Sequence, residues 1–346
     1  MSGFRRLKVG SLVLAIAGGF LTNTAFADVY IPEGLSGTAL HLSSELKPVS
    51  RITGLDNVHG LSVAISRGLL IAGSLSEQSR SEVEKPGAVS SDDHNAHHGK
   101  SNNDQSEEVS IISLIDIQTE KVIRKIEVPG MVHHITTSSD DRYVLVTHPG
   151  LDAVSIIDLE TNTLTATIPT GSNPNYAVYD PQTASFYVSN TGNATISQVE
   201  PKAGYAVRNF KTENGVEHLE FDIDSRRIFA AEADAGEVSV IDIDTGETTS
   251  RFTVGGGLHG IAYDQSRNSI YVSARERGAI VYISLETGES EDQLIGPEPY
   301  HMTLVGDTLL VSSADEPLIW AVDVETRHVL ATIPTKDRAH QMAVTQ

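Results

Sequence analysis

Six histidines stand in one repeated setting, each opening a short apolar run. The runs are His59-Gly60-Leu61, His134-Ile135-Thr136, His218-Leu219-Glu220, His259-Gly260-Ile261, His301-Met302-Thr303 and His340-Gln341-Met342. A further run of the same kind begins Asn175-Tyr176-Ala177. Neutral imidazole is the commonest protein ligand for divalent transition metals, and three of them with a carboxylate or a water make a tetrahedral zinc site. Calcium and magnesium prefer oxygen donors. The chain has no cysteine and four methionines, which removes thiolate ligation and c-type haem attachment and disfavours Cu(I). Zn2+ is therefore the expected ion, with Cu2+ and Ni2+ as alternatives. The competing reading is a structural histidine copied from a repeated ancestor and bonded to a neighbouring carbonyl. The rest of each repeat has diverged while the histidine persists, which favours a role in binding.

Residues so far apart in sequence meet only if a repeated scaffold brings them together. Val154-Ser155-Ile156-Ile157-Asp158-Leu159-Glu160-Thr161 recurs as Val238-Ser239-Val240-Ile241-Asp242-Ile243-Asp244-Thr245, and weaker copies begin at Ile280 and Ile319. Each copy is a β-branched strand running into an Asp/Glu-Thr turn, with one strand after it and others before it. One unit is thus four strands in about 40–45 residues, the signature of a propeller blade. Innermost strands starting near 59, 134, 175, 218, 259, 301 and 340 predict an all-β, seven-bladed β-propeller. The last copy, from Ala339, stops after one strand. Strands near Val29–Pro32, Thr38–Leu42 and Val49–Gly54 supply the three it lacks, so one C-terminal and three N-terminal strands close the ring. The first strand residues then encircle one mouth of the central channel. His133 should point away from it, His148 should face the same side, and His41 and His328 read as ordinary surface residues.

One excursion breaks the period. Ser74 to Glu108 stands where a short turn is expected, and it includes Asp92-Asp93-His94-Asn95-Ala96-His97-His98. Alternating strand direction sends this loop out of the histidine-bearing face. His94, His97 and His98 suit weak, exchangeable metal capture rather than a fixed site.

The first 27 residues read as a signal peptide, with Arg5, Arg6 and Lys8, an apolar run from Val9 to Leu21, and Ala25-Phe26-Ala27 as the cleavage site. A single domain, 28–346, is expected to follow, exported to the periplasm and not inserted in the membrane. Removing those three basic residues takes the net charge from −21 to −24, which argues against nucleic acid and anionic membrane as partners and suits a protein that meets cations.

Tyr187-Val188-Ser189-Asn190 and Tyr271-Val272-Ser273-Ala274 resemble the repeat that names the YVTN family of seven-bladed propellers. In layout the chain resembles the periplasmic zinc metallochaperones of the AztD type: an exported propeller, a channel-mouth histidine cluster and an Asp/His-rich segment. That resemblance implies a protein that binds zinc and passes it to the solute-binding protein of a metal ABC importer, with the six register histidines as the pool of ligands. No nucleophile–base pairing is visible, so the expectation is a protein that is not an enzyme. Two alternatives stand beside it. One is a propeller whose histidine-lined channel holds another metal or an organic or haem cofactor for redox chemistry. The other is a protein-interaction scaffold.

Overall fold

The computed structural model describes residues 27–79 and 108–345. Its strands form seven sheets arranged as a β-propeller. Five blades are continuous in sequence, each running from the innermost to the outermost strand, as in Leu258–Asp264, Ser269–Ala274, Ala279–Ser284 and Ser290–Leu294. Where Ser74 to Glu108 is inserted, the blade is built from Val58–Ala64, Leu69–Ser74, Glu108–Asp116 and Lys121–Pro129. A two-residue strand, Gln78–Ser79, pairs back onto Glu108–Val109. His94, His97 and His98 lie outside the described residues.

The ring closes as the sequence predicts. Val29–Glu33, Thr38–Leu42 and Pro48–Ile52 form the outer three strands of the last blade, and Val29 and Tyr30 pair with Val344 and Ala343. The C-terminal contribution is shorter than expected, because regular strand is confined to Ala343–Val344. Just before it, Gln341 replaces strand pairing with side-chain bonds. Its amide accepts from Ile135 N–H at 3.0 Å and donates to Ile135 C=O at 2.8 Å, while its own carbonyl accepts from Leu61 N–H. One buried residue thus ties the last inner strand to the next two around the ring, to one through its backbone and to the other through its side chain.

Burial follows from position in the blade. Second and third strands are covered on both faces by neighbouring blades, which explains continuous apolar runs such as Ala279–Ser284. Outer strands alternate exposed residues with partly or fully buried ones, as in Thr163–Pro169. The apolar clusters sit between adjacent blades. Ile71, Leu114, Val144 and Ile157 fill one such interface, and Phe229, Val240, Ile261 and Val281 fill another.

The inner strands share one irregularity. In five of them the ladder shifts register at the start: between Val58 and Gly60, Pro174 and Ala177, Val216 and His218, Leu258 and Ile261, and Pro299 and Met302. A bulge leaves a backbone N–H without its ladder partner and turns the local side chains. A hydroxyl on the second strand takes up that N–H. Tyr176 donates to Ser189 at 2.9 Å, Gly260 to Ser273 at 2.7 Å, and His301 to Ser312 at 3.1 Å. His134, which precedes the short strand Ile135–Thr137, donates to Thr147 at 2.9 Å in the same way. A polar residue near the end of an otherwise apolar second strand is the sequence mark of this device.

Gly260 shows how tightly the blades meet here. A Cβ at this position would collide with the backbone carbonyl of Tyr300 on the neighbouring inner strand. Gly260→Ala is expected to force the two strands apart at a cost of about 1–3 kcal/mol. Thermal melting checks it; an unchanged midpoint would refute the close approach.

Candidate metal centre

All six register histidines come together in one place, four of them, His59, His218, His259 and His301, at the bulges. Ring centroids lie 3.5 Å apart for His59 and His340, 3.8 Å for His301 and His340, 4.8 Å for His259 and His301, 5.0 Å for His218 and His301, and 5.2 Å for His134 and His301. His134, His218, His259, His301 and His340 are buried, and His59 is partly so.

A further histidine joins them. His133, expected to point away, lies with its ring centroid 5.0 Å from that of His59 and 4.3 Å from that of His134. The expectation assumed strand alternation, but regular strand begins only at Ile135, so the alternation does not reach back to His133. The cluster therefore holds seven imidazoles.

Other histidines fall elsewhere. His148 is buried inside its blade with both nitrogens engaged, Nδ1 to Met131 C=O at 2.9 Å and Nε2 to Ser155 Oγ at 2.8 Å, so it has no lone pair to offer the cluster. His41 is not the surface residue expected. It is 9% exposed, 2.7 Å from Glu120, because the turn of the next blade covers the closing blade there. His328 is exposed, as read from the sequence.

Two overlapping groups in the cluster could hold an ion. His134, His301 and His340, all buried, bring one nitrogen each within 4.8 Å of the others, and so do His59, His133 and His340. His340 belongs to both. The contacts around His301 are closer still: its Nε2 lies 3.3 Å from His259 Nε2 and 3.0 Å from His340 Nε2, and its Nδ1 lies 3.2 Å from His218 Nε2. A tetrahedral zinc with Zn–N bonds of 2.0–2.1 Å sets its donors about 3.3 Å apart. The nitrogens therefore stand at close to ligand spacing.

Two histidines have a tautomer fixed from outside. His259 Nδ1 donates to Glu217 Oε2 at 2.7 Å, and His134 Nδ1 donates to the Asn175 carbonyl at 2.8 Å. Each Nε2 then carries its lone pair inward. That of His134 is buried with no partner, as are His59 Nε2 and His218 Nδ1. Buried nitrogens without partners are costly unless something binds them, and a carboxylate or carbonyl behind a histidine is the usual support of a metal ligand. Asn175, which interrupts the histidine register, thus contributes a carbonyl in place of an imidazole.

Burial also sets the charge. Loss of solvent, reinforced by neighbouring imidazoles, holds His134, His218, His301 and His340 well below the usual histidine range, His59 at about 3 and His133 at about 4. Burial lowers His259 as well, against the pull of Glu217. Burial alone would raise Glu217, but its hydrogen bond to His259 and the nearby positive groups, Arg275 among them, together outweigh that and keep it an ionised acceptor. The cluster is thus neutral at pH 7, the form in which imidazole ligates metal. Glu217→Gln should leave the fold intact but weaken zinc binding about 10–100-fold by removing the acceptor behind His259. A competition titration against a chromophoric chelator reads this, and an unchanged affinity would exclude Glu217 from the site.

Two tyrosines wall the cluster. Tyr300 stacks on His259 at 3.8 Å and 8°, and Tyr176 stacks on His218 at 3.7 Å. Sequence reading passed over both, together with Glu217. Each is adjacent to a register position, which is the signal that could have found them. Beyond Tyr176 lies a second cavity of about 410 Å³, with Glu220 and Thr136 in its wall. Among the described residues no helix is long and apolar enough to cross a membrane.

No family model and no curated protein matches this sequence. Solved structures match the fold. One is a Bacteroides uniformis protein described as a candidate 6-phosphogluconolactonase, with a TM-score of 0.71 and 16% identity over 92% of this chain and 100% of the other. Another is the Pseudomonas aeruginosa periplasmic gluconolactonase, at TM-score 0.69 and 13% identity over 92% of this chain and 99% of the other. A third is the dihydro-heme d1 dehydrogenase NirN in complex with DHE, at TM-score 0.64 and 15% identity; 89% of this chain spans 63% of that one. These neighbours overturn the expectation that the chain is not an enzyme. Propellers of this shape include two named as lactonases and one named as a dehydrogenase, and a missing nucleophile–base pair does not bear on metal-assisted or cofactor chemistry. What the likeness shows of this chain is its β-propeller fold; the histidine cluster able to hold a metal ion is seen in its own side chains.

Proposed function

We propose that this protein binds a divalent transition metal, Zn2+ in the first place, at the seven-histidine cluster. One observation carries the reading: buried, neutral imidazoles converge at ligand spacing, with inward nitrogens that have no other partner. The donor set is all nitrogen, which suits Zn2+, Cu2+ and Ni2+ and not the hard ions. The ring offers more donors than one ion needs, and His340 is common to the buried group and the more accessible one. An ion arriving at His59 and His133 can therefore exchange ligands toward His134 and His301 without leaving the protein. Reversible loading of this kind suits delivery to the solute-binding protein of a metal importer in the periplasm. The lactonase names of the fold neighbours add a second use of the same ion, as a Lewis acid in ester hydrolysis.

Metal analysis and titration of protein purified without a histidine tag test the proposal. The expected result is Zn2+ uptake tighter than micromolar, with a spectrum featureless above the aromatic band. Uptake weaker than micromolar, or equal uptake by a His301/His340 alanine variant, would refute it. A visible absorption band in protein isolated from its native compartment would favour an organic or haem cofactor. Lactone hydrolysis by the zinc-loaded form, with and without a chelator, separates delivery from catalysis.

A further inference from the structure

The path from solvent to the cluster carries two arginines in a chain that is acidic as a whole. A cavity of about 350 Å³ opens above the imidazoles, and His59, His340, Asn57, Tyr300, Arg275 and Arg338 stand in its wall. A chain of net charge −21 that only gathers cations would be expected to line this entrance with carboxylates. Its wall carries two guanidinium groups beside a single carboxylate, that of Asp337.

Their donors are incompletely used. Arg275 gives Nε and Nη2 to a single oxygen of Glu298, at 3.0 and 2.6 Å, and lies 5.0 Å from the centre of the Tyr300 ring. Its Nη1 has no partner among the described residues. The side chain of Arg338 and the hydroxyl of Tyr300 have none there either. Asp337 also lines the cavity, and one of its oxygens accepts from the Arg338 backbone N–H at 2.8 Å. Glu298 and Asp337 offset much of the positive charge, so the pocket has room for a singly charged anion more than for a phosphate dianion. His59 and His340 belong both to this wall and to one of the metal-holding groups. A metal on three imidazoles keeps an open coordination position.

We propose that the mouth pocket binds a small carboxylate, its carboxyl group taken by Arg275 and Arg338 and one oxygen ligating the metal held by the histidines. This rests on the metal reading above. It names the second ligand of that centre: the ion enters, leaves or reacts as a complex with an organic acid. Guanidinium forks match carboxylate geometry, and Tyr300 and Asn57 supply donors for a neighbouring hydroxyl.

Cobalt-substituted protein provides the test, with L-lactate as the probe and inorganic phosphate beside it. Lactate is expected to change the visible cobalt spectrum saturably. An Arg275→Gln/Arg338→Gln variant should take up cobalt as the unaltered protein does, yet need at least about tenfold more lactate, the loss of roughly one charge-assisted hydrogen bond. Cobalt uptake with no response to lactate, or an equal response in the variant, overturns the pocket alone. A tighter response to phosphate than to lactate overturns the carboxylate assignment. Failure to take up cobalt overturns the metal reading and this inference with it.

Discussion

Replacing His301 and His340 together by alanine is expected to abolish high-affinity zinc binding, with a loss beyond the roughly hundredfold seen when an outer support of a ligand is removed. His301 makes the most connections in the cluster, reaching His218, His259 and His340 at 3.0–3.3 Å. His340 belongs to both groups able to hold an ion, so no triad survives the pair of substitutions. The fold should persist, because the apolar contacts between blades do not pass through the imidazoles. Competition titration and circular dichroism read the two outcomes separately. A folded double variant that still binds zinc as tightly would place the ion elsewhere in the chain.

Acid should unfold the metal-free protein over an unusually narrow range. The sign follows from burial. Each cluster histidine is held below its unfolded value near 6.5, with His59 at about 3 and His133 at about 4, and His148, buried within its blade, is also at about 4. The unfolded chain thus binds more protons than the folded one in that window. Stability is complete above pH 6.5 and is lost as pH falls toward 4. Each histidine that stays neutral contributes about 1.4 kcal/mol per pH unit, so even two of them remove about 4 kcal/mol between pH 6.5 and pH 5. The full set will not add linearly, since the first proton to enter loosens the packing around the rest. Urea midpoints measured at pH 7 and pH 5 decide the matter, and equal midpoints would mean the cluster is hydrated and charges freely. Zinc affinity should fall across the same range, because protons and metal compete for the same lone pairs.

Much of this was legible in the chain. The recurrence of Val154–Thr161 at Val238–Thr245 set the period, and the incomplete repeat at Ala339 anticipated the shared closing blade. The histidine register was legible because every copy occupies one place in a rotationally repeated unit. What could not be read were contacts made by departures from the repeat. His133 was misplaced because alternation was assumed where regular strand had not begun. Glu217 was missed because its partner, His259, is on the next blade. Tyr176 and Tyr300 look like ordinary strand aromatics until the bulges turn them toward His218 and His259. Period locates a position in the ring, but only three-dimensional structure shows what crosses from one blade to the next.

The shared closing blade also bears on how long the protein stays folded. Val344 and Ala343 hold to the N-terminal strand by two residue pairs, supported by the Gln341 amide and the Thr345–Asp28 bonds. This is the one seam where no covalent chain runs through the blade, so it is the natural place for the ring to open. His340 lies immediately beside it. An ion on His340, His59 and His133 would span that seam and bind the closed ring in preference to the open one, adding stability as RT ln(1 + [Zn]/Kd). The metal would then act as a removable clasp. Chelation should shorten the lifetime of the native state, and the metal content of the protein would be a measure of its durability.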